Sequence, residues 1–339
     1  MALEFGLDTF GDITADETGL HSGAQVIRNT LEEAVLADQV GLNYFGLGEH
    51  HRPDFAISAM EPLLGAILAK TTQIHAGTSV TVLSSDDPIR VFQSYATLDA
   101  LAPGRAEITI GRGSFTESFP LFGHDLDDYE VLFSEKAQLL HHLVSREKVS
   151  FHGKHRSALK GVTVYPRPER ALTVWRGVGG SPQSVLEAAS MDMPLVMAII
   201  GGNPARFAPL AELYRQTRAQ MGAKALPIAV HSPGHVAESD AVAQEEFFPA
   251  YAEMHDLIGR SRGWPKFTKS AYEHEIAHGS LYVGSPETVA QKIAKTVRAL
   301  ALDRFTLKYS AGPQRPEHLL KTIELYGTQV APRVRELLA

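Results

Sequence analysis

The chain has 339 residues, 44% of them apolar, with 32 basic against 39 acidic residues, a formal net charge of −7 and no cysteine. That apolar share can bury a large core. The acidic balance, with no basic block, speaks against nucleic acid and anionic membrane as partners. The missing thiols exclude disulfides, thiolate catalysis and zinc–thiolate sites. The opening segment MALEFGLDTFGD shows no signal peptide, and no run approaches the ~18 apolar residues of a spanning helix. A soluble cytoplasmic protein is the expectation.

In chain order, Ala2–Leu7 reads as a strand. In IRNTLEEAVLADQVGL, Ile27, Leu31, Ala34, Val35 and Ala37 recur on one helical face, and Gly41 is a natural stop. Tyr44–Gly48 is a strand and Met60–Lys70 a helix. Ile74–Leu83 is rich in β-branched residues and predicts a strand. A helix follows, with Asp87 as N-cap and Pro88 in its first turn, and Pro103-Gly104 ends it. Further strands are expected at Ala106–Ile110, Leu172–Trp175, Leu195–Ile200, Pro227–His231 and Arg304–Tyr309, with helices between them. About eight strand–helix units suit a (β/α)₈ TIM barrel, with an open doubly wound sheet as the rival. No linker or internal repeat divides residues 1–339, so one domain is expected. Stretches of roughly 114–165 and 240–285 are too long for simple connections and read as insertions at the C-terminal rim; the second is expected to be a lid that orders on ligand binding.

Three motifs lie where strands end. The first, YFGLGEHHRPDF, places Glu49, His50 and His51 directly after a strand. Alternation sends Glu49 and His51 one way and His50 the other. Adjacent residues cannot all face one ion, so a metal site is not expected; the plain alternative is a polar strand end bonded to the next loop. The second is GVGGSPQSVLEAA, in which Gly177, Gly179 and Gly180 precede a helix capped by Ser181, with Pro182 and Ser184 in its first turn. Free amides at such an end suit an anion, most often phosphate, although ordinary capped turns are common. It is neither a Walker loop nor a dinucleotide fingerprint. The third is ITIGRGSF, where Arg112 sits between two glycines and could grip phosphate in bidentate fashion or simply form a surface ion pair. His141-His142 reads as a solvated helix face, the C-terminal tail as an amphipathic helix packed on the barrel, and His255, His274 and His278 as scattered residues of a polar loop.

Taken together and in this order, GLGEHH, AGTSVTVLSSDDPIRVFQSYATLDALAPGRAEITIGRGS, GVGGSPQS and YVGSPETVAQKI resemble the bacterial luciferase-like flavin monooxygenases over nearly the whole chain. The resemblance implies a (β/α)₈ barrel that binds FMN at its C-terminal rim. His50 matches the histidine beside the flavin, and Arg112, Ser181 and Ser184 match holders of the FMN phosphate. Ser79-Val80 matches a non-prolyl cis peptide under the flavin ring. Gly180 replaces a phosphate-site glutamate of luciferase, and Gly111 replaces its reactive cysteine. The implied activity is a two-component monooxygenase that takes FMNH₂ from a separate NAD(P)H:flavin reductase and oxygenates a small organic substrate. A homodimer is the family expectation. The alternatives are a deazaflavin-dependent dehydrogenase of the same fold and a non-catalytic flavin-binding protein.

Overall fold

β-branched and aromatic runs in this chain pair edge to edge until they close on themselves. In the computed structural model, which describes residues 3–339, the strands are β1 (Glu4–Thr9), β2 (Tyr44–Leu47), β3 (His75–Thr78), β4 (Ala106–Gly111), β5 (Thr173–Val178), β6 (Leu195–Ala198), β7 (Ile228–Val236) and β8 (Arg304–Lys308). Ala2, the expected start of β1, lies outside the described residues. Every neighbouring pair from β1 to β8 is parallel, and β8 returns to β1 with Glu4 opposite Arg304 and Asp8 opposite Lys308. The circuit is closed. The chain is a (β/α)₈ barrel, and the open sheet is excluded.

Alternation along the strands divides two interiors. Phe5, Leu7, Phe45, Leu47, Ile108 and Ile110 turn outward into the core beneath the helices. Tyr44, Glu107, Trp175 and Arg304 turn inward. There the Arg304 guanidinium donates to Glu107 at 2.7 and 3.0 Å and lies 4.6 Å from the ring centroids of both Tyr44 and Trp175. This closes the N-terminal end of the barrel with a paired, aromatic-sandwiched charge, so the C-terminal end is left for chemistry.

The helices longer than one turn are α1 (Gly23–Gln39), α2 (Met60–Lys70), α3 (Pro88–Leu101), α4 (Tyr129–Ser145), α5 (Pro182–Ser190), α6 (Ala208–Gln220), α7 (Asp240–Arg262), α8 (Lys269–His278), α9 (Pro286–Leu300), α10 (Pro316–Leu325) and α11 (Ala331–Leu338). The expected caps hold: Asp87 accepts from the amides of Ile89 and Arg90, and Ser181 from that of Ser184. Gly41, at φ +79°, turns the chain out of α1. The tail packs through Leu319, Ile323, Tyr326, Val330 and Val334, as its pattern predicted. No helix among the described residues is long and apolar enough to cross a membrane.

Three expectations are corrected. The strand expected over Ile74–Leu83 is broken: β3 stops at Thr78, the Ser79-Val80 peptide is cis, and only Thr81–Val82 resumes pairing, with β4. Residues 240–285 are not an irregular loop. They form α7 and α8 around their own core of Phe247, Tyr251 and Tyr272, so the segment is helical where a polar loop was expected. The face carrying His141 and His142 is half-buried rather than solvated, with the His142 ring 6.1 Å from that of Phe151.

Glu33 on α1 gives a stability prediction. Its carboxyl is buried, accepts a 2.6 Å bond from the Tyr309 hydroxyl, and is pushed up to about 7 from a usual 4.5, chiefly by desolvation. Between those two pH values the folded chain keeps a proton that the unfolded chain has lost, so stability falls as pH rises through this window and levels off above it. The loss is on the order of 3 kcal/mol. Glu33→Gln, which mimics the protonated acid, is expected to flatten that slope in urea melts at pH 5 and 8. An unchanged slope would place the dependence on another group.

Candidate functional site

The rim of the barrel beyond the strand ends has two halves. In the first, α5 begins with Ser181 as cap and Pro182 in its first turn, so its leading amides point to solvent near the ends of β4 and β5. Gly180 holds φ +130°, a conformation that a side chain rarely adopts, which fits the absence of glutamate at that position. Arg112, immediately beyond β4, brings its Nη2 to 3.5 Å from Ser184 Oγ and pairs through Nη1 with Glu130 of α4. The Glu130 side chain is 70% exposed. Exposed pairs are worth about 0–1 kcal/mol, so this carboxylate is a weak competitor for a dianion.

Arg176 on β5 converges on the same hydroxyl, its Nη2 at 3.5 Å from Ser184 Oγ. Sequence reading missed it; the available signal was a lone charge inside an apolar strand just before the glycines. Its side chain is 4% exposed and lies 3.9 Å from the Phe133 ring centroid, with Glu187 as its ionic partner at 3.7 Å. Burial pushes the guanidinium down to about 10, with Glu187 opposing, and it stays cationic near neutrality. A buried cation so loosely compensated favours an added anion. Two guanidiniums, a hydroxyl and a helix N-terminus therefore meet at one point, and the residues present fit a phosphate monoester.

The second half is built by glycines. A Cβ at Gly48 would lie 2.1 Å from Phe10 Cδ1 and 2.9 Å from Ser79 O, and one at Gly46 would lie 2.5 Å from Ser79 Oγ. The GLG of the sequence therefore makes room for Phe10 and the Ser79 turn. Beyond it the chain alternates as expected. Glu49 and His51 point together, Glu49 Oε1 bonding His51 Nε2 at 2.8 Å and Oε2 accepting from the Val82 amide at 3.2 Å. They do not touch His50. The His50 ring instead sits among Phe10, Phe55 and Phe115, with centroids 4.7, 4.4 and 4.6 Å away. Desolvation pushes its pKa down to about 3, so it is a neutral imidazole. His50 is held by aromatic packing and by its amide bond to Ile57 O at 2.9 Å.

Val80, the residue after Ser79, faces two further glycines: a Cβ at Gly111 would lie 2.6 Å from Val80 Cγ2, and one at Gly177 would lie 3.0 Å from Val80 Cγ1. Gly111 is thus required by the Val80 isopropyl group. Gly111→Cys is expected to displace Val80 and lower stability by about 1–3 kcal/mol, and Gly111→Cys with Val80→Ala is expected to restore most of it. Thermal melts of the single and double variants check this; additive losses would show that the two positions are independent.

A ring of polar groups lines the mouth between these halves. Asp12 accepts from Lys308 Nζ at 2.9 Å, Ser310 Oγ at 2.6 Å and the Gly312 amide at 3.0 Å, which ties the loop after β1 to the loop after β8. Asp8 Oδ2 meets His231 Nδ1 at 2.5 Å. Among the described residues, no group of three or more His, Asp or Glu could hold a metal ion.

Residues 9–304 match the family model described as luciferase-like monooxygenase. The chain is 30% identical over 182 residues to the N-acetyl-S-alkylcysteine monooxygenase of Bacillus subtilis, covering 52% of each chain. It is 32% identical over 155 residues to the F420-dependent glucose-6-phosphate dehydrogenase of Kineococcus radiotolerans, covering 43% of this chain and 45% of that one. The matches span about two-fifths to half of the length of such curated relatives. The oxygenating constituent of 3,6-diketocamphane monooxygenase from Pseudomonas putida, a structure in complex with FMN, superposes with a TM-score of 0.79 at 20% identity over 98% of this chain and 99% of that one. At that identity the likeness establishes a shared fold.

Proposed function

Because the chain belongs to the luciferase-like monooxygenase family, we propose that it is an FMN-dependent monooxygenase that oxygenates a small organic substrate. The observation that carries this reading is the pair of guanidiniums, Arg112 and Arg176, meeting at Ser184 where α5 begins. With Ser181 and the leading amides of α5 they would hold the phosphate of FMN, and Gly180 would let the ligand come close to the backbone. Ser79 and Val80 would underlie the ring. When bound, reduced FMN supplies the electrons that activate dioxygen.

The chain's own residues do the rest. His50, uncharged and enclosed by Phe10, Phe55 and Phe115, can donate one N–H bond from a dry surface, where such a bond is stronger than in water. The phenylalanines exclude water from that face. No dinucleotide fingerprint is present, so the proposal includes a separate NAD(P)H:flavin reductase as supplier of reduced FMN, and a homodimer as the working form. The test is incubation with photoreduced FMN, labelled dioxygen and a substrate panel: the reading expects one label atom in product. Label confined to water and peroxide throughout the panel would count against oxygenation.

A second reading, a deazaflavin-dependent dehydrogenase that moves hydride without oxygen, is favoured by the match to an F420-dependent relative. Both readings use the same rim and anion site. They differ in which reduced cofactor binds.

A further inference from the structure

Resting on the monooxygenase reading, we propose that Asp8 and His231 form a substrate-side base at the barrel mouth, and that the substrate is an aromatic compound bearing a hydroxyl group. The two residues stand 223 positions apart and meet because β1 and β7 both flank β8. His231 Nδ1 lies 2.5 Å from Asp8 Oδ2, and the Asp8 side chain is fully buried. A carboxylate has no hydrogen to give, so the bond places the imidazole proton on Nδ1 and leaves Nε2 as an acceptor. Nε2 has no hydrogen-bond partner among the described residues, and the ring keeps 11% of its surface accessible at the open end of the barrel. Asp8 fixes the tautomer and would stabilise the imidazolium once Nε2 takes a proton.

The surroundings choose the ligand. Phe10 lies nearly parallel to His231, with centroids 6.0 Å apart and planes at 16°, and its other neighbours are Phe55 and His50. Such walls suit a flat aromatic body. Lys308 Nζ lies 4.6 Å from the Phe10 centroid and is paired with Asp12 at 2.9 Å. A phenolic hydroxyl is acidic enough to pass its proton to a neighbouring base, whereas an aliphatic alcohol is far out of reach. The step moves one proton from the substrate oxygen to Nε2 and makes or breaks no other bond. Asp8 from β1 faces His231, whose register partners are Ala198 on β6 and Thr306 on β8; His50 and Lys308, the latter paired with Asp12, meet the same Phe10 ring.

The test uses 4-nitrophenol as a probe, followed by its phenolate absorbance across pH in the whole protein without flavin, with 4-nitroanisole as the control lacking the hydroxyl. Saturable binding is expected, with the apparent pKa of the bound probe lowered by about one unit. His231→Gln should return it to the free value, and Asp8→Asn should do so in part. Should Asp8→Asn fail to fold, His231→Gln, at the more accessible partner, carries the test. FMN titration of His231→Gln should match the parent, which separates failure here from failure of the flavin reading. No saturable binding, an unshifted bound probe, or the same shift in His231→Gln would overturn the proposal.

Discussion

His50→Ala is expected to lower the yield of oxygenated product by about 10²–10³ at unchanged flavin occupancy, the loss typical of one preorganised hydrogen-bond donor. Bound reduced flavin should still react with dioxygen, and the missing product should be recovered as hydrogen peroxide. The reason lies in the ring's surroundings. Packed against three phenylalanines and pushed down to about 3 by desolvation, this imidazole is uncharged across the working pH range and acts by donating a bond. Unfolded histidine takes up its proton near 6.5, before the folded one does, so His50 lowers stability as pH falls from about 6.5 towards 3, and no activity break near 6.5 should trace to it. Single-turnover product and peroxide assays on the parent and variant check the claim. Equal yields would reduce His50 to a packing residue, whose removal costs ~1–2 kcal/mol of stability and nothing in chemistry.

Arg112→Ala is expected to weaken FMN about tenfold or more while leaving riboflavin nearly unchanged, because only FMN carries the phosphate; a charged hydrogen bond contributes ~1.5–3 kcal/mol. Adding Arg176→Ala should extend the discrimination to on the order of a hundredfold or more, since both guanidiniums reach Ser184 Oγ. Riboflavin serves as the internal control for folding, which matters because Arg176 is buried against Phe133. Fluorescence titrations of both ligands against the parent and the two variants measure the ratio directly. Equal weakening of FMN and riboflavin would move the phosphate elsewhere on the rim.

The barrel was legible because its signals are local. Asp87-Pro88 and Ser181-Pro182 mark helix starts within a few residues, and β-branched runs mark strands. The approach of Arg112 to the helix that starts at Ser181 and carries Ser184 was legible for the same reason, each lying at a strand end or helix start. What failed depended on distance in sequence or on context. The run Ile74–Leu83 hides its break at Ser79-Val80, because the residues that accommodate the turn are Gly46, Gly48, Gly111 and Gly177 on other strands. Residues 240–285 carry Gly259, Gly263 and Gly279 among many charged residues, which read as loop. Yet Pro249 is tolerated inside α7, and Gly263 at φ +67° is its C-terminal stop. Arg176 was passed over because strand alternation alone does not reveal that its outward face meets Phe133 and the start of α5. The Asp8–His231 pair could not be read from residues on opposite sides of the chain.

Whether the rim takes reduced FMN is decided by an anaerobic titration with photoreduced FMN and reduced F420 side by side. Tight, saturable binding of reduced FMN that depends on Arg112 and Arg176 is expected, with F420 binding weakly or not at all. Tight binding of reduced F420 with none for reduced FMN would contradict it and make this barrel a hydride-transfer enzyme.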